Sequence, residues 1–181
     1  MEELKELKQR MESQRPAPWE DLPDLSLYMD QVIGYMPRQL IRYGGEEWLT
    51  SAMVNNYIKD GLLPRAEGKR YSKVHLAYLT EICALKQVLP VKDAGLLAGC
   101  RGQEETEEAY AVFRAELDRA MRDTAERLDT EVDREELSRL ALALALHSYA
   151  DKLACQRILE LIRGDEDTAK KSKKERKEGK T

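Results

Sequence analysis

The chain has 181 residues, enough for one domain with appendages or two small ones, and its 42% hydrophobic content is enough to fill a packed core. Charged residues make up 35% and aromatics only 6%, a balance that suits a mostly helical protein, and no uninterrupted apolar run reaches the ~18 residues that a membrane helix needs. The net charge of −4 does not announce a nucleic-acid partner in bulk, but its distribution is uneven. Residues 51–101 hold eight Lys/Arg against four acids, whereas residues 102–163 hold fifteen acids against nine bases. A basic module lies between acidic ones, and phosphates respond to local potential.

Residues 1–14 read as an amphipathic helix with a thin stripe of Leu4, Leu7 and Met11 that needs another element to lean on. The polar, acidic start MEELKELKQR is not a secretory signal, so the expected location is the cytoplasm. Pro16 and Pro18 stop this helix, and Trp19, Leu22 and Leu25 follow as a hydrophobic hook, with Trp19 a plug on the core. Asp24 or Ser26 can cap a next helix whose buried side comprises Leu27, Tyr28, Val32, Ile33, Tyr35, Met36, Leu40 and Ile41. Pro37 falls inside that pattern and predicts a kink or two consecutive helices, and Gly44-Gly45 turns the chain.

The stretch from Thr50 to Tyr71 is the most informative. Thr50 can accept a hydrogen bond from an otherwise unpaired amide at a helix start. Val54, Tyr57, Ile58 and Leu62 recur at helical spacing on one face, and Ala52, Asn55, Asn56 and Lys59 on the other. Gly61 suits the positive φ wanted at a helix end, and Pro64 blocks further helix. Arg65, Lys69 and Arg70 then cluster around Glu67-Gly68, a tight-turn signal. A small helix offering side-chain amides, followed by a basic turn, is what a helix-turn-helix reader with a wing needs. Asn55 and Asn56 can present donor and acceptor together, the geometry that suits adenine. Lys59, Arg65, Lys69, Arg70 and Lys73 would meet phosphates, Tyr71 would pack under the wing, and Ser51 at the helix start would donate to phosphate.

The same residues carry a family resemblance. YIKDGLLP, then KRY, then a helix opening at Ser72 resemble the DNA-binding half of the MerR (mercury-resistance regulator) winged-helix families, over roughly Leu49 to Leu97. PWEDLPDLSLYMDQV with LTSAMVNNYIK more closely resembles a family of uncharacterised bacterial proteins, a domain of unknown function with a MerR-like helix-turn-helix, from Trp19 to about Leu97. The resemblance implies DNA binding and a wing held on the backbone by Arg70 and Tyr71. It departs where MerR proteins place Arg-Tyr and this chain has Asn55-Asn56.

Beyond the wing, Ser72 caps a helix with Val74, Tyr78, Ile82, Leu85 and Leu89 inward, and Pro90 ends it. His75, in its first turn, reads as an exposed surface residue, with a phosphate neighbour as the sharper alternative. Val91 to Leu97 gives a short helix closed by Gly99. Residues 102–107 read as a hinge, and a helix from about Glu104 to Leu128 turns Tyr110, Phe113, Leu117, Met121 and Leu128 inward. Asp133 followed by Glu136 predicts a capping box for a last helix to about Arg163. Leu140–Leu146 alternates as a strand would, but Ala and Leu are strong helix formers and no breaker intervenes. His147 reads as a packed interior histidine. Leucines on more than one side of this helix suit a dimer interface, with an intrachain hairpin as the alternative. From Asp165 the composition predicts a disordered basic tail.

Cys83, Cys100 and Cys155 are too scattered for a C-x-x-C site and read as free thiols, and with only two histidines no metal cage, cofactor or catalytic motif is recognisable. The expected architecture is mainly α, a MerR-like winged helix-turn-helix with a small β wing plus a C-terminal helical hairpin. Its expected divisions are 1–18, an N-terminal helix and linker; 19–101, the winged domain; 102–164, the hairpin and possible dimerisation region; and 165–181, the tail. The expected function is a non-enzymatic DNA-binding transcription regulator, acting as a homodimer through its C-terminal helices on double-stranded DNA, with no membrane. The alternative is a helical protein–protein adapter on the same scaffold.

Overall fold

A computed structural model describes residues 2–42, 48–99 and 106–178, of which 165–178 are described by backbone alone. The Gly44-Gly45 turn, Cys100 and most of the 102–107 hinge lie outside the described residues. The chain divides into two compact units, 1–131 and 132–181.

The first unit contains α1 (Glu2–Ser13), α2 (Met29–Tyr35), α3 (Ser51–Lys59), α4 (Lys73–Leu85), α5 (Val91–Gly99) and α6 (Thr106–Glu126). Short 3-10 turns occur at Trp19–Asp21 and Met36–Arg38. Pro37 therefore ends α2 in a 3-10 turn, because its ring removes a donor and crowds the preceding turn. α4 is the hub. Leu76, Ala77, Leu79, Thr80, Ile82 and Cys83 are all fully buried, so it is enclosed on more than one side. It packs on α5, on α6 and on the Met36–Arg38 turn. Val32, Met36, Val54, Tyr57 and Leu63 close the core from the α2–α3 side, and Tyr110 closes it from α6.

α1 packs along α6, which gives its thin stripe the support it lacks alone. Arg15 pairs with Asp118 at 2.5 Å, and Lys8 donates to the Leu128 carbonyl at 2.9 Å. The boundary between compact units falls after Glu131, and α6, whose Ala109 and Tyr110 are buried, lies within the first of them.

Among the described residues there is no β-strand. The expected β wing is reduced to two isolated bridges, Glu67↔Arg70 and Leu27↔Tyr71. Pro64 and the turn at 67–70 leave too few residues for a ladder. Leu25, expected in the hydrophobic hook, is exposed, whereas Leu22 is buried and Trp19 is packed on the core.

The second unit is built on α7 (Arg134–Glu178). Its start is the expected capping box. The Glu136 N–H donates to Asp133 Oδ1 at 2.9 Å, and the Asp133 N–H donates to Glu136 Oε2 at 3.0 Å. Leu140–Leu146 is helical. The backbone helix runs on to Glu178, through the stretch whose composition predicts disorder; the Ala, Lys and Glu there are good helix formers with no proline among them. His147 is exposed, not interior, and so are Leu142, Leu146, Tyr149 and Leu153. No helix of the described residues is long and apolar enough to cross a membrane.

Candidate functional site

The site starts from the cap of α3. Thr50 is extended, and its hydroxyl accepts from the Met53 N–H at 3.1 Å. Val54 and Tyr57 face inward and are buried, which turns Ser51, Asn55, Asn56 and Lys59 outward, and all four are exposed. Gly61 ends the helix at φ 73°, and Leu62 and Leu63 both donate to the Tyr57 carbonyl.

The chain then reverses over Glu67–Arg70. Glu67 N–H donates to the Arg70 carbonyl at 3.2 Å and Arg70 N–H to the Glu67 carbonyl at 2.9 Å, with Gly68 at φ 55° and Lys69 at φ 65°. Two central residues at positive φ are the pattern of a type I′ two-residue hairpin. Glycine takes the first position without strain. Lysine at the second does not, because its Cβ crowds the following carbonyl at a cost of about 1 kcal/mol. Lys69→Gly is therefore expected to raise unfolding stability by roughly 0.5–1 kcal/mol, read as a higher urea midpoint at unchanged slope. A midpoint that stays or falls would show that the lysine is not strained there.

Next to the hairpin, Leu27 and Tyr71 exchange backbone hydrogen bonds, both at 2.8 Å. Tyr71 is only 5% exposed and meets the His75 ring edge-on, centroids 5.4 Å apart. It supports the hairpin from beneath and offers no surface. His75 is likewise buried, at 5% exposure, which corrects the expectation of a surface histidine. The reason is local. The Ser72 N–H donates to His75 Nδ1 at 3.0 Å, so the ring folds back to cap α4 and lies under Tyr71.

That geometry requires an unprotonated Nδ1. Burial pushes the His75 pKa below its ordinary value of 6.5, while the Pro64 and Arg65 carbonyls and the Glu67 carboxylate pull the other way. Protonation would cost the cap its acceptor. A depressed folded-state pKa means stability present above pH 6.5 and lost as pH falls through the folded value. Acid titration is expected to show stability falling below pH 6.5, with that limb flattened in His75→Gln. A limb unchanged in the variant would place the titration elsewhere.

The cations divide into two groups. Arg70 lies over the Tyr28 ring, 4.6 Å from its centroid, and donates to the Tyr28 hydroxyl at 2.8 Å. Lys73 pairs with Asp24 at 2.5 Å and covers Trp19 at 5.4 Å, so its charge is already matched. Lys59, Arg65 and Lys69 are exposed, and among the described residues no ion pair engages them. Ser51 and Lys69 line one open groove of about 760 Å³ together with Tyr28, Met29, Asp30 and Ile33. The start of α3 and the hairpin tip thus share a surface.

Tyr28, Met29, Asp30 and Ile33 are groove residues that sequence periodicity misses, because Tyr28 and Ile33 read as the buried side of α2. Tyr28 is 47% exposed because it precedes α2 in extended backbone. The legible signal was its place in Leu25–Tyr28, a short run with no helical register of its own. Asp30 is an acid inside this groove, and it works against an anion there.

Cys83 is fully buried, and burial pushes its thiol up to about 11, so it is inert at neutral pH. Among the described residues no three His, Cys, Asp or Glu side chains gather as a metal site.

No curated protein and no solved structure matches the chain. A family model does match, over residues 17–113, which takes in α2 to α5, the hairpin and the start of α6. With more than half of its length covered, from the Ala17 carbonyl that Tyr110 holds to the Phe113 ring beside it, the chain belongs to the domain of unknown function DUF1836.

Proposed function

We propose that this chain is a DNA-binding transcription regulator whose first unit works as a MerR-like winged helix-turn-helix. α3 is the recognition helix, offering Asn55 and Asn56 to base edges, and the Glu67–Arg70 hairpin is the wing. The observation that carries this reading is the groove shared by Ser51 and Lys69, with Lys59 and Arg65 also exposed and engaged by no ion pair among the described residues. A recognition helix and a phosphate-gripping loop must meet one duplex from one side. Arg70 and Tyr71 complete the wing, Arg70 at its surface and Tyr71 beneath it. Lys73 contributes less, because Asp24 already neutralises it.

The partner is double-stranded DNA, and the acting species is a homodimer. Leu142, Leu146, Tyr149 and Leu153 recur at spacings of four, three and four on α7 and are all exposed, a seam of the kind that pairs helices. The role is non-enzymatic and needs no cofactor.

Selection of duplex fragments from genomic DNA, followed by mobility shift across a salt series, tests the reading. Expected is a complex of two copies per site whose affinity falls steeply with salt. A chain that retains no duplex at low salt would overturn it. That outcome, with a stable protein partner recovered instead, favours the adapter reading, which draws support from Asp30 in the groove and from the Asp24–Lys73 pair.

A further inference from the structure

Leu27 and Tyr71 form a mutually hydrogen-bonded antiparallel pair. The next step of that register sets Tyr28 opposite Arg70, and side chains alternate faces along an extended backbone. Tyr71 therefore points inward and is buried, whereas Tyr28 and Arg70 emerge together on the outer face. Directly opposed residues on one face are close enough to interact, and here they do so twice. The guanidinium lies 4.6 Å from the Tyr28 ring centroid, and one of its nitrogens donates to the Tyr28 hydroxyl at 2.8 Å.

This arrangement spends little of the arginine. A guanidinium has five N–H donors, and the phenol takes one. Neither the ring face nor the hydroxyl neutralises its charge, unlike the carboxylate that holds Lys73. A long, rotamer-rich side chain is thus held in one orientation with its remaining N–H groups open to water, beside the groove that Tyr28 itself lines.

We infer that Tyr28 is a positioning residue, holding the Arg70 guanidinium ready for a backbone phosphate of the duplex. The inference rests on the DNA-binding reading above and adds to it a residue outside both the recognition helix and the wing. Its physical content is preorganisation. The conformational entropy of Arg70 is lost on folding, so less is lost on binding.

A double-mutant cycle on the full chain tests it, using a duplex selected by the wild type. Tyr28→Ala is expected to weaken binding about five- to tenfold. Tyr28→Phe keeps the ring under the cation and should retain most of the affinity. In an Arg70→Ala background, Tyr28→Ala should change affinity less than about twofold, because a residue acting through Arg70 has nothing left to act on. Thermal unfolding of each variant checks that the half-exposed position leaves the fold intact. Additive losses would overturn the inference in favour of a direct Tyr28 contact or a merely structural role. Tighter binding by Tyr28→Ala would also overturn it, showing that the ring withholds Arg70 instead of presenting it. So would an Arg70→Ala variant that binds as the wild type does. If the wild type retains no duplex, the DNA-binding reading itself fails and takes this inference with it.

Discussion

Tyr110→Ala is expected to destabilise the first unit by roughly 3–5 kcal/mol, the range for deleting a fully buried aromatic. Tyr110 has no exposed surface, and it joins three parts of the unit. Its ring stacks with Phe113 at 6.1 Å and meets Trp19 at 6.4 Å. Its hydroxyl donates to the Ala17 carbonyl at 2.9 Å, tying α6 to the proline-rich segment after α1. Burial pushes its phenol up to about 12, so it remains a donor throughout the physiological range. Truncation would leave a ring-sized void and strand the Ala17 carbonyl. Because domains of this size are stable by only about 5–15 kcal/mol, the loss should lower the melting temperature by at least 10 °C. Tyr110→Phe keeps the packing and should cost about 1 kcal/mol, the net value of the hydrogen bond. A Tyr110→Ala melting temperature within a few degrees of wild type would mean that α6 is not part of this core.

The second large effect concerns binding. On the proposed DNA-binding reading, replacing Lys59, Arg65 and Lys69 together by alanine is expected to weaken duplex binding at least a hundredfold at about 0.1 M salt and to reduce the slope of log affinity against log salt by roughly 2–3, close to 0.9 per lost phosphate contact. These three are chosen because among the described residues neither an ion pair nor a ring holds them, whereas Arg70 rests on Tyr28, so each would release a counterion in full. Stability should move little, since exposed and unpaired side chains contribute only a few tenths of a kcal/mol. The Lys69 change brings no relief of its own, because alanine keeps a Cβ at φ 65°, and only glycine would remove that strain. Lys73→Ala is the internal contrast. It breaks a pair with Asp24 and uncovers Trp19, so it should alter stability more than the salt slope. A triple variant with the wild-type slope would remove phosphates from the account of this surface.

The groove that motivates the second experiment was half legible. Helical spacing was enough to turn Asn55, Asn56 and Lys59 outward, because it fixes which residues oppose Val54 and Tyr57. Glu67-Gly68 was enough to mark a reversal, because a two-residue turn needs positive φ. The fates of the cations were not legible. Arg70 and Lys73 look like Lys69 in a sequence, and what separates them is the company of Tyr28 and of Asp24, more than forty residues away in the chain. The two histidines failed for the same reason, since exposure is a property of neighbours. Ser72 and Tyr71 draw His75 inward, while His147 remains exposed on α7.

Local chemistry therefore determined this protein's helices, their caps and its central turn, all of which depend on residues within a few positions of one another. Thr50 accepts from Met53, Asp133 and Glu136 exchange hydrogen bonds, and Gly61 ends α3, as their spacing requires. Tertiary structure alone decided that α6 joins the first unit, that two isolated bridges stand where a β ladder was expected, and that Asp24 pairs Lys73 and Tyr28 holds Arg70 while no ion pair among the described residues engages Lys59, Arg65 or Lys69. The physical reason is range. A cap or a tight turn is settled by bonds a few residues long, whereas burial and ion pairing depend on which distant segments the packed core brings together.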